Sequence, residues 1–234
     1  MHPRPIALKI LDIASVLLFG ITIYLALVVA PTEVTMGAVQ RVFYLHVSTA
    51  WVGMLGFIAA VVPAIIYLRT NNLKWDRIEV AAIEISSVFF LLAIVLGSIW
   101  ARPAWNAWWK WEARLTTAAI AELLYIAYFM LRAGIDNPER RARFGAVYAL
   151  IASVSIPITF MSIRWVDRTL HPVVFGISKG TSEIDMAMTF GMVQVMLFAI
   201  FAFSVIFVDL FWHRIRLGEL QEEIEERKIK VIAS

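Results

Sequence analysis

The chain has 234 residues, of which 61% are hydrophobic and 17% are charged, and its mean hydropathy is +0.77. Soluble domains carry roughly 45–50% apolar and about 25% charged residues, so the composition excludes a soluble globular protein and a disordered one. Cysteine is absent, which excludes disulfides, thiolate metal ligands and CxxC redox chemistry. The formal net charge is +3. In a membrane protein an excess of positive charge reflects the orientation in the bilayer, so no nucleic-acid partner is expected.

Apolar stretches long enough to cross a bilayer recur along the chain. A membrane-spanning helix needs about 20 mostly apolar residues. The stretches that meet or approach this length are residues 13–30, 42–68, 78–100, 115–131, 144–163 and 185–212. The sequence therefore predicts an all-α integral membrane protein, with six transmembrane helices in a single polytopic domain over residues 1–234. Cleavage of the first stretch as a signal peptide is not expected, because its apolar run is long and five spans follow.

Lysine and arginine are divided unevenly between the two sides of such a bundle. The N-terminal segment, the second and fourth connections and the C-terminal segment carry 14 of them, and the other three connections carry 7. Because positive charge favours the cytoplasmic side, both termini are predicted to be cytoplasmic. Residues 213–234 mix charged residues with Ile215, Leu220 and Ile224, which predicts a short amphipathic tail helix. Asp185 is a candidate N-cap for the sixth span.

Two of the four histidines fall on the predicted outer side. His46 lies about one turn into the second span, and His171 lies in the connection between the fifth and sixth spans. Neutral imidazole is a common ligand of metal ions and of haem iron. A single histidine at a membrane surface is usually structural, so the pair leaves both a structural role and a ligand role open.

Five of the nine tryptophans lie between residues 100 and 111, in the third connection. Pro103 suits the first turn of a helix, so an external interfacial helix is predicted here. On that helix Trp105, Trp108, Trp109 and Glu112 would share one face, and Trp100 and Trp111 would fall on another. Tryptophan favours membrane interfaces in general, but its concentration in one connection favours a flat apolar platform over an aromatic belt.

A flat platform with basic residues around it suits a large planar ligand that carries carboxylates. Haem has both features, and two imidazoles are suitable ligands of its iron. Without cysteine it would be held non-covalently. Arg41, Arg102 and Arg114 are candidate partners of the propionates by their side and charge.

The acidic residues within the predicted spans include Glu84 in the third and Glu122 in the fourth. A carboxylate inside the membrane is a candidate functional group. Ion or proton transport favours several such groups at matching depth with helix breaks beside them, and these two are staggered. We therefore interpret them as protonated or interface-reaching side chains.

The tryptophan segment from Trp100 to Thr116 resembles the "WWD" segment of haem-handling proteins, and specifically the CcmC family of system I cytochrome c maturation. Two further motifs resemble that family, the stretch from Arg41 to His46 and Thr169-Leu170-His171. The resemblance covers roughly residues 40 to 190. Glu112 stands where the family usually has aspartate, and Ala101 and Asn106 stand where glycine is common.

The resemblance implies a function of binding and presentation rather than catalysis, so the chain is not expected to be an enzyme. It implies that His46 and His171 are the axial ligands of a transient, non-covalent haem b, and that Trp105, Trp108, Trp109 and Trp111 contact it. Haem would be passed to the chaperone CcmE, with help from the ABC transporter subunits CcmA and CcmB and from CcmD. The chain would lie in the bacterial inner membrane, with the haem site facing the periplasm.

Two other functions stay open on the sequence. A b-type cytochrome subunit would place paired histidines within the membrane, whereas His171 lies in a connection. A secondary transporter or channel would leave the tryptophans as a structural belt and would move a solute without haem.

Overall fold

The computed structural model describes residues 4–34, 36–166, 169–172 and 188–232. These residues are almost entirely helical. A π-helical turn over Leu25–Val29 continues the first helix, and a 3-10 turn over Ala38–Gln40 leads into the second. The α-helices are α1 Ile6–Tyr24, α2 Arg41–Thr70, α3 Leu73–Trp105, α4 Ala113–Ala133, α5 Pro138–Ser153, α6 Ser155–Trp165 and α7 Phe190–Ile232.

The predicted all-α fold with six spans is confirmed. Six helical segments among the described residues are long and apolar enough to cross a membrane. They are Ile6–Val29, Ala38–Thr70, Leu73–Trp105, Ala113–Ala133, Pro138–Trp165 and Phe190–Glu225. The order of these segments along the chain is the predicted one, and each overlaps its predicted stretch.

Helix ends differ from the predicted boundaries because caps, and not apolar composition, set them. Span three begins at Leu73, where the side chain of Asn72 accepts a hydrogen bond from the amide of Lys74 at 3.0 Å. The predicted start of span six and the Asp185 cap lie outside the described residues. The predicted tail residues are helical as far as Ile232, and they continue α7, which runs unbroken from Phe190 to Ile232. Glutamate, lysine, arginine and leucine after Trp212 are good helix formers and continue the helix out of the apolar stretch.

The fifth span consists of two helices that meet at Val154. Pro157 lies one turn after Ser153 and has no amide hydrogen, so the Ser153 carbonyl loses its helical donor. The hydroxyls of Ser153 and Ser155 turn back to carbonyls of the preceding turn, Leu150 and Ala152, at 2.8 and 2.7 Å. The span thus bends at this point, and α6 leads to the connection that carries His171.

The prediction of a separate tryptophan-rich interfacial helix is wrong. Pro103 lies inside the last turn of α3, which continues to Trp105, and Asn106 then adopts a left-handed conformation with φ of 52°. Residues 106–112 form no helix. A proline near the end of a helix and a left-handed residue directly after it are helix-termination signals, so Pro103 marks the end of α3 and not the start of a new helix.

Contacts between helix ends define two ends of the bundle. At the end that we call the tail end, Arg132 pairs with Asp76, Arg77 pairs with Glu222 on α7, and His213 on α7 contacts Asp12 on α1. The opposite end, which we call the cavity end, carries the tryptophan segment and both outer histidines. The beginning of α1 and the end of α7 therefore lie together, as six spans require. That the tail end faces the cytoplasm stays a prediction from its positive charge.

The core between α2, α3 and α4 is aromatic. The rings of Phe57 and Tyr125 stack with centroids 3.7 Å apart, in a cluster of buried residues that α5 and α6 complete. Gly53 lets α2 approach α3 closely, since a Cβ there would lie 3.0 Å from the amide nitrogen of Phe90.

Glu84 on α3 forms an ion pair with Arg214 on α7 at 2.7 Å. The acid therefore has a basic partner, which the sequence interpretation missed.

Candidate functional site

A cavity opens at the cavity end between α2, α3, α4 and α6. The space between its walls is about 960 Å³, a volume that includes the open mouth. Most of its lining is apolar. The polar or aromatic side chains in the lining are His46, Trp51, Phe90, Ser98, Trp100, Trp105, Trp109, Arg114, Thr159, Phe160, Arg164 and His171.

Two imidazoles lie close together in the lining of this cavity. His46 on α2 and His171 after α6 have ring centroids 6.1 Å apart, with 60° between the ring planes. Two imidazoles that each place a nitrogen about 2 Å from one metal ion, on opposite sides, have ring centres roughly 6 Å apart. The two histidines are 125 positions apart in the chain, and the bundle brings them within the distance at which one metal ion can bind both.

The orientation of His46 is fixed by α3. Its Nδ1 lies 2.8 Å from the carbonyl oxygen of Ala93. With the proton on Nδ1 donated to that carbonyl, Nε2 keeps a free lone pair for a ligand, which is the usual second-shell arrangement of a metal-binding histidine. Gly97 leaves room for the ring, because a Cβ at Gly97 would lie 2.9 Å from Cε1 of His46.

His171 lies outside the spans, after the end of α6, and its imidazole is neutral. Burial, together with the positive charge of Arg114 and the neighbouring His46, lowers the pKa of His171 well below its ordinary value. The ring is therefore neutral at physiological pH, which is the form that binds a metal. Its Nδ1 is buried and has no hydrogen-bond partner, so a buried ring nitrogen remains available.

The structure divides the five clustered tryptophans into two groups. Trp100 and Trp105 pack edge to face with centroids 5.2 Å apart, and Trp105 lies 6.3 Å from His171. These two and Trp109 line the cavity, whereas Trp108 and Trp111 are 60% and 77% exposed. The predicted helical faces do not apply, because residues 106–112 are not a helix.

The three lining indoles also have unpaired donors. Nε1 of Trp100, Trp105 and Trp109 is buried without a hydrogen-bond partner. Buried donors are nearly always paired in folded proteins, so a ring of unpaired donors around a cavity is typical of a site whose occupant supplies the acceptors.

Two arginines lie on one wall. Arg114 on α4 and Arg164 on α6 both donate to the carbonyl oxygen of Phe160, at 3.2 and 2.9 Å. Their guanidinium carbons lie 6.0 and 4.2 Å from the centre of the Phe160 ring. Of the predicted propionate partners only Arg114 lines the cavity. Arg41 bonds to the carbonyl of Leu27 and Arg102 bonds to the side chain of Asn106.

Glu112 is placed beside the cavity and not in its lining. One carboxylate oxygen caps α4 by accepting from the amide of Leu115 at 3.1 Å, and the other accepts from the hydroxyl of Thr169 at 2.7 Å. Thr169 in turn accepts from the amide of His171 at 3.1 Å. Glu112 therefore links the start of α4 to the loop that holds His171, and acts as a positioning residue.

The sequence of this chain matches one family model over residues 4–230, and the description of that model is heme exporter protein C. The chain belongs to the CcmC family. The resemblance seen in the motifs is thus confirmed over nearly the whole chain, and with its six spans the chain is a multi-pass membrane protein of this family.

Individual relatives support the same assignment. Heme exporter protein C of Bradyrhizobium diazoefficiens is 31% identical over 217 residues, 93% of this chain and 78% of that protein. Heme exporter protein C of Escherichia coli K12 is 32% identical over 179 residues, 76% of this chain and 71% of that protein. A putative cytochrome c biosynthesis ccmC-like mitochondrial protein of Marchantia polymorpha is 30% identical over 154 residues, 66% and 64% of the two chains.

The cavity residues of this CcmC-family chain that sequence reasoning missed include Trp51, Phe160 and Arg164. Trp51 and Phe160 pack edge to face with centroids 5.5 Å apart, and Arg164 lies beside them. Arg164 was counted only as an outer-side cation. Its place at the end of the fifth span, seven residues before His171, was a signal in the sequence. An arginine near a candidate ligand histidine is a candidate partner of an anionic group on the ligand.

Proposed function

We propose that this chain binds haem b non-covalently in the cavity and presents it to a haem chaperone for cytochrome c maturation. The single observation that carries the proposal is the pair of imidazoles of His46 and His171, whose ring centroids lie 6.1 Å apart in the lining of one cavity. Family membership supports it, since the matching relatives are named heme exporter protein C or after cytochrome c biosynthesis.

The residues of the cavity fit the chemistry of haem part by part. The iron would supply a centre for two neutral imidazoles, and the bond from His46 to the Ala93 carbonyl leaves Nε2 free for it. Apolar and indole surfaces around the imidazoles exclude water from the macrocycle, and Trp105 lies in contact distance of His171. These groups bind and orient the cofactor without making or breaking a bond in it, so we propose no enzymatic activity.

The two arginines supply the anion-binding part. Arg114 and Arg164 present cationic groups on the wall beside Phe160, and guanidinium binds carboxylates through charge-assisted hydrogen bonds. We assign the haem propionates to these two residues. This assignment retains Arg114 from the sequence prediction and replaces Arg41 and Arg102.

Release follows from the kind of binding. The chain has no cysteine, so haem is held by two coordinate bonds, stacking and ion pairs, all of which can be broken without covalent chemistry. The cavity is open at one end of the bundle, which we place at the periplasmic face of the bacterial inner membrane. We propose CcmE as the acceptor and CcmA, CcmB and CcmD as the complex in which the transfer occurs.

The experiment is haem retention in purified single variants from haem-replete cells. We expect His46→Ala and His171→Ala each to lower the ratio of haem to protein, because each removes one iron ligand. His2→Ala removes an imidazole at the start of the chain and is the control, with the wild-type ratio expected. Wild-type haem content and an unchanged spectrum in both cavity variants would refute the bis-histidine site.

A further inference from the structure

A second cluster of metal-ligand side chains lies at the tail end, away from the haem cavity. Asp12 on α1 and Asp209 and His213 on α7 each place one ligand atom within 4.8 Å of the other two. Nε2 of His213 lies 2.5 Å from Asp12 and 3.6 Å from Asp209. None of the three residues contributes to the cavity described above.

The helices place these groups without distortion. Asp209 and His213 are four residues apart on α7, so they lie one above the other on the same helix face. α1 packs along α7, and Asp12 meets that face from the opposite side. Ser15, one turn after Asp12, is buried at the same interface.

The cluster contains an unsatisfied buried carboxylate, which points to a missing ligand. Asp209 is only 6% exposed, and its Oδ1 has no hydrogen-bond partner. The hydroxyl of Ser15 is buried beside this carboxylate. A buried carboxylate oxygen without a donor is costly, and the other two members of the cluster alone do not satisfy it.

We propose that Asp12, Asp209 and His213 bind one divalent transition-metal ion that joins α1 to α7. Two carboxylates and one imidazole are a donor set that suits Zn²⁺, Fe²⁺ or Mn²⁺. Ligand atoms around such an ion, each about 2.0–2.2 Å from it, lie roughly 3 to 3.5 Å from one another. The pair His213–Asp209 is already near this separation, and the pair His213–Asp12 reaches it by opening about 1 Å.

The surroundings allow an ion to enter. The side chains of Asp12 and His213 are 32% and 34% exposed, so one side of the cluster faces solvent and can add water ligands. Arg4 lies 3.9 Å from the second oxygen of Asp12. It lies on the exposed side and leaves Oδ1 of both carboxylates directed at His213.

The ion would have a structural consequence for the first span. Only Leu8, Ser15 and Thr22 of α1 are buried, so few side chains attach this helix to the bundle. A metal bound by one α1 residue and two α7 residues would fix α1 at the tail end. This inference does not depend on haem binding.

The test is Zn²⁺ titration of the purified, chelator-treated full chain by calorimetry. We expect one bound Zn²⁺ per chain, both in the wild type and in the double variant His46→Ala/His171→Ala, which removes the imidazoles of the cavity. Asp209→Asn and His213→Gln should each weaken binding at least about tenfold, because even the loss of an outer-shell partner of a metal ligand costs about 10–100-fold. Glu84→Gln is the matched control at the same end, where the acid pairs with Arg214, and should leave the affinity unchanged.

A second measurement covers the case in which the variants do not fold. Co²⁺ added to the wild type should give visible absorption of an ion bound by imidazole and oxygen, and Zn²⁺ should raise its Tm. The proposal would be overturned if no stoichiometric Zn²⁺ binding is found or if all variants bind equally. It would also be overturned if the wild type shows neither Co²⁺ absorption nor a change in Tm. In each case the cluster would be an ion pair only.

Discussion

Arg164 adds a second cationic side chain to the cavity wall that carries Arg114. It shares the Phe160 carbonyl with Arg114, so two cationic groups converge on one wall. Charge-assisted hydrogen bonds contribute about 1.5–3 kcal/mol each. The structure thus concentrates cationic groups on the wall between α4 and α6, in the same cavity as the two histidines.

We predict that Arg164→Gln weakens haem binding by about tenfold or more, because one charge-assisted contact to a propionate is lost. Haem titration of the purified variant, followed by absorbance, measures the change. Lys110→Gln is the control, since Lys110 is an exposed cation on the same tryptophan segment and does not line the cavity. Equal affinity of Arg164→Gln and wild type would show that the propionates lie elsewhere.

At the scale of helices, the approach of α3 to α2 sets the position of His46. Gly97 leaves the space that the His46 ring occupies, and Ala93, one turn earlier on α3, supplies the carbonyl that orients it. The two features together make α3 the helix that positions the His46 ring, which we propose as one iron ligand.

Gly97→Ala should therefore lower haem retention although alanine favours the helix. The added Cβ would lie 2.9 Å from Cε1 of His46 and displaces the ring, so the haem ratio and spectrum should approach those of His46→Ala. Gly20→Ala on α1 meets nothing within 4 Å and should behave as wild type. A Gly97→Ala variant with normal haem would contradict the fixed position of His46.

The sequence allowed the spans and the candidate ligands to be predicted, but not the path of the tryptophan segment. Apolar length is a local property, so six spans could be read without knowing how they pack. The helical faces assigned to Trp105, Trp108 and Trp109 assumed that Pro103 starts a helix. Proline is tolerated in a first turn and also terminates helices, and the end of α3 at Trp105 with the left-handed Asn106 after it shows which of the two applies here.

Long-range contacts explain the remaining differences. The role of Glu112 depends on Thr169, 57 positions away, and that of Glu84 depends on Arg214, 130 positions away. Patterns within one segment carry no information on such pairs. The motifs could therefore identify which residues gather at one side, while the structure was needed to show which of them share a cavity.

At the scale of the whole molecule, the two ends of the bundle have different chemistry. The cavity end carries the paired imidazoles, tryptophans and arginines, and the tail end carries ion pairs such as Arg132–Asp76 and Arg77–Glu222. Both cavity imidazoles lie at one end, so a single haem there does not form an electron path across the membrane. This arrangement favours presentation of haem over transmembrane electron transfer.

The predicted orientation can be measured directly because the chain has no cysteine. In intact cells with a permeable outer membrane, a membrane-impermeant thiol reagent should label Lys110→Cys and should not label Glu225→Cys until the inner membrane is opened. Both positions are exposed, one near the cavity and one on the end of α7. The opposite pattern would place the cavity in the cytoplasm and exclude a periplasmic acceptor.

The absorption spectrum of the wild-type protein purified from haem-replete cells tests the central claim most directly. Two imidazoles on one iron predict a low-spin bis-histidine spectrum, converted to a high-spin or haem-free form by His46→Ala and by His171→Ala. A wild-type protein that binds haem only in a high-spin form, or that binds none when haem is supplied, would contradict the account.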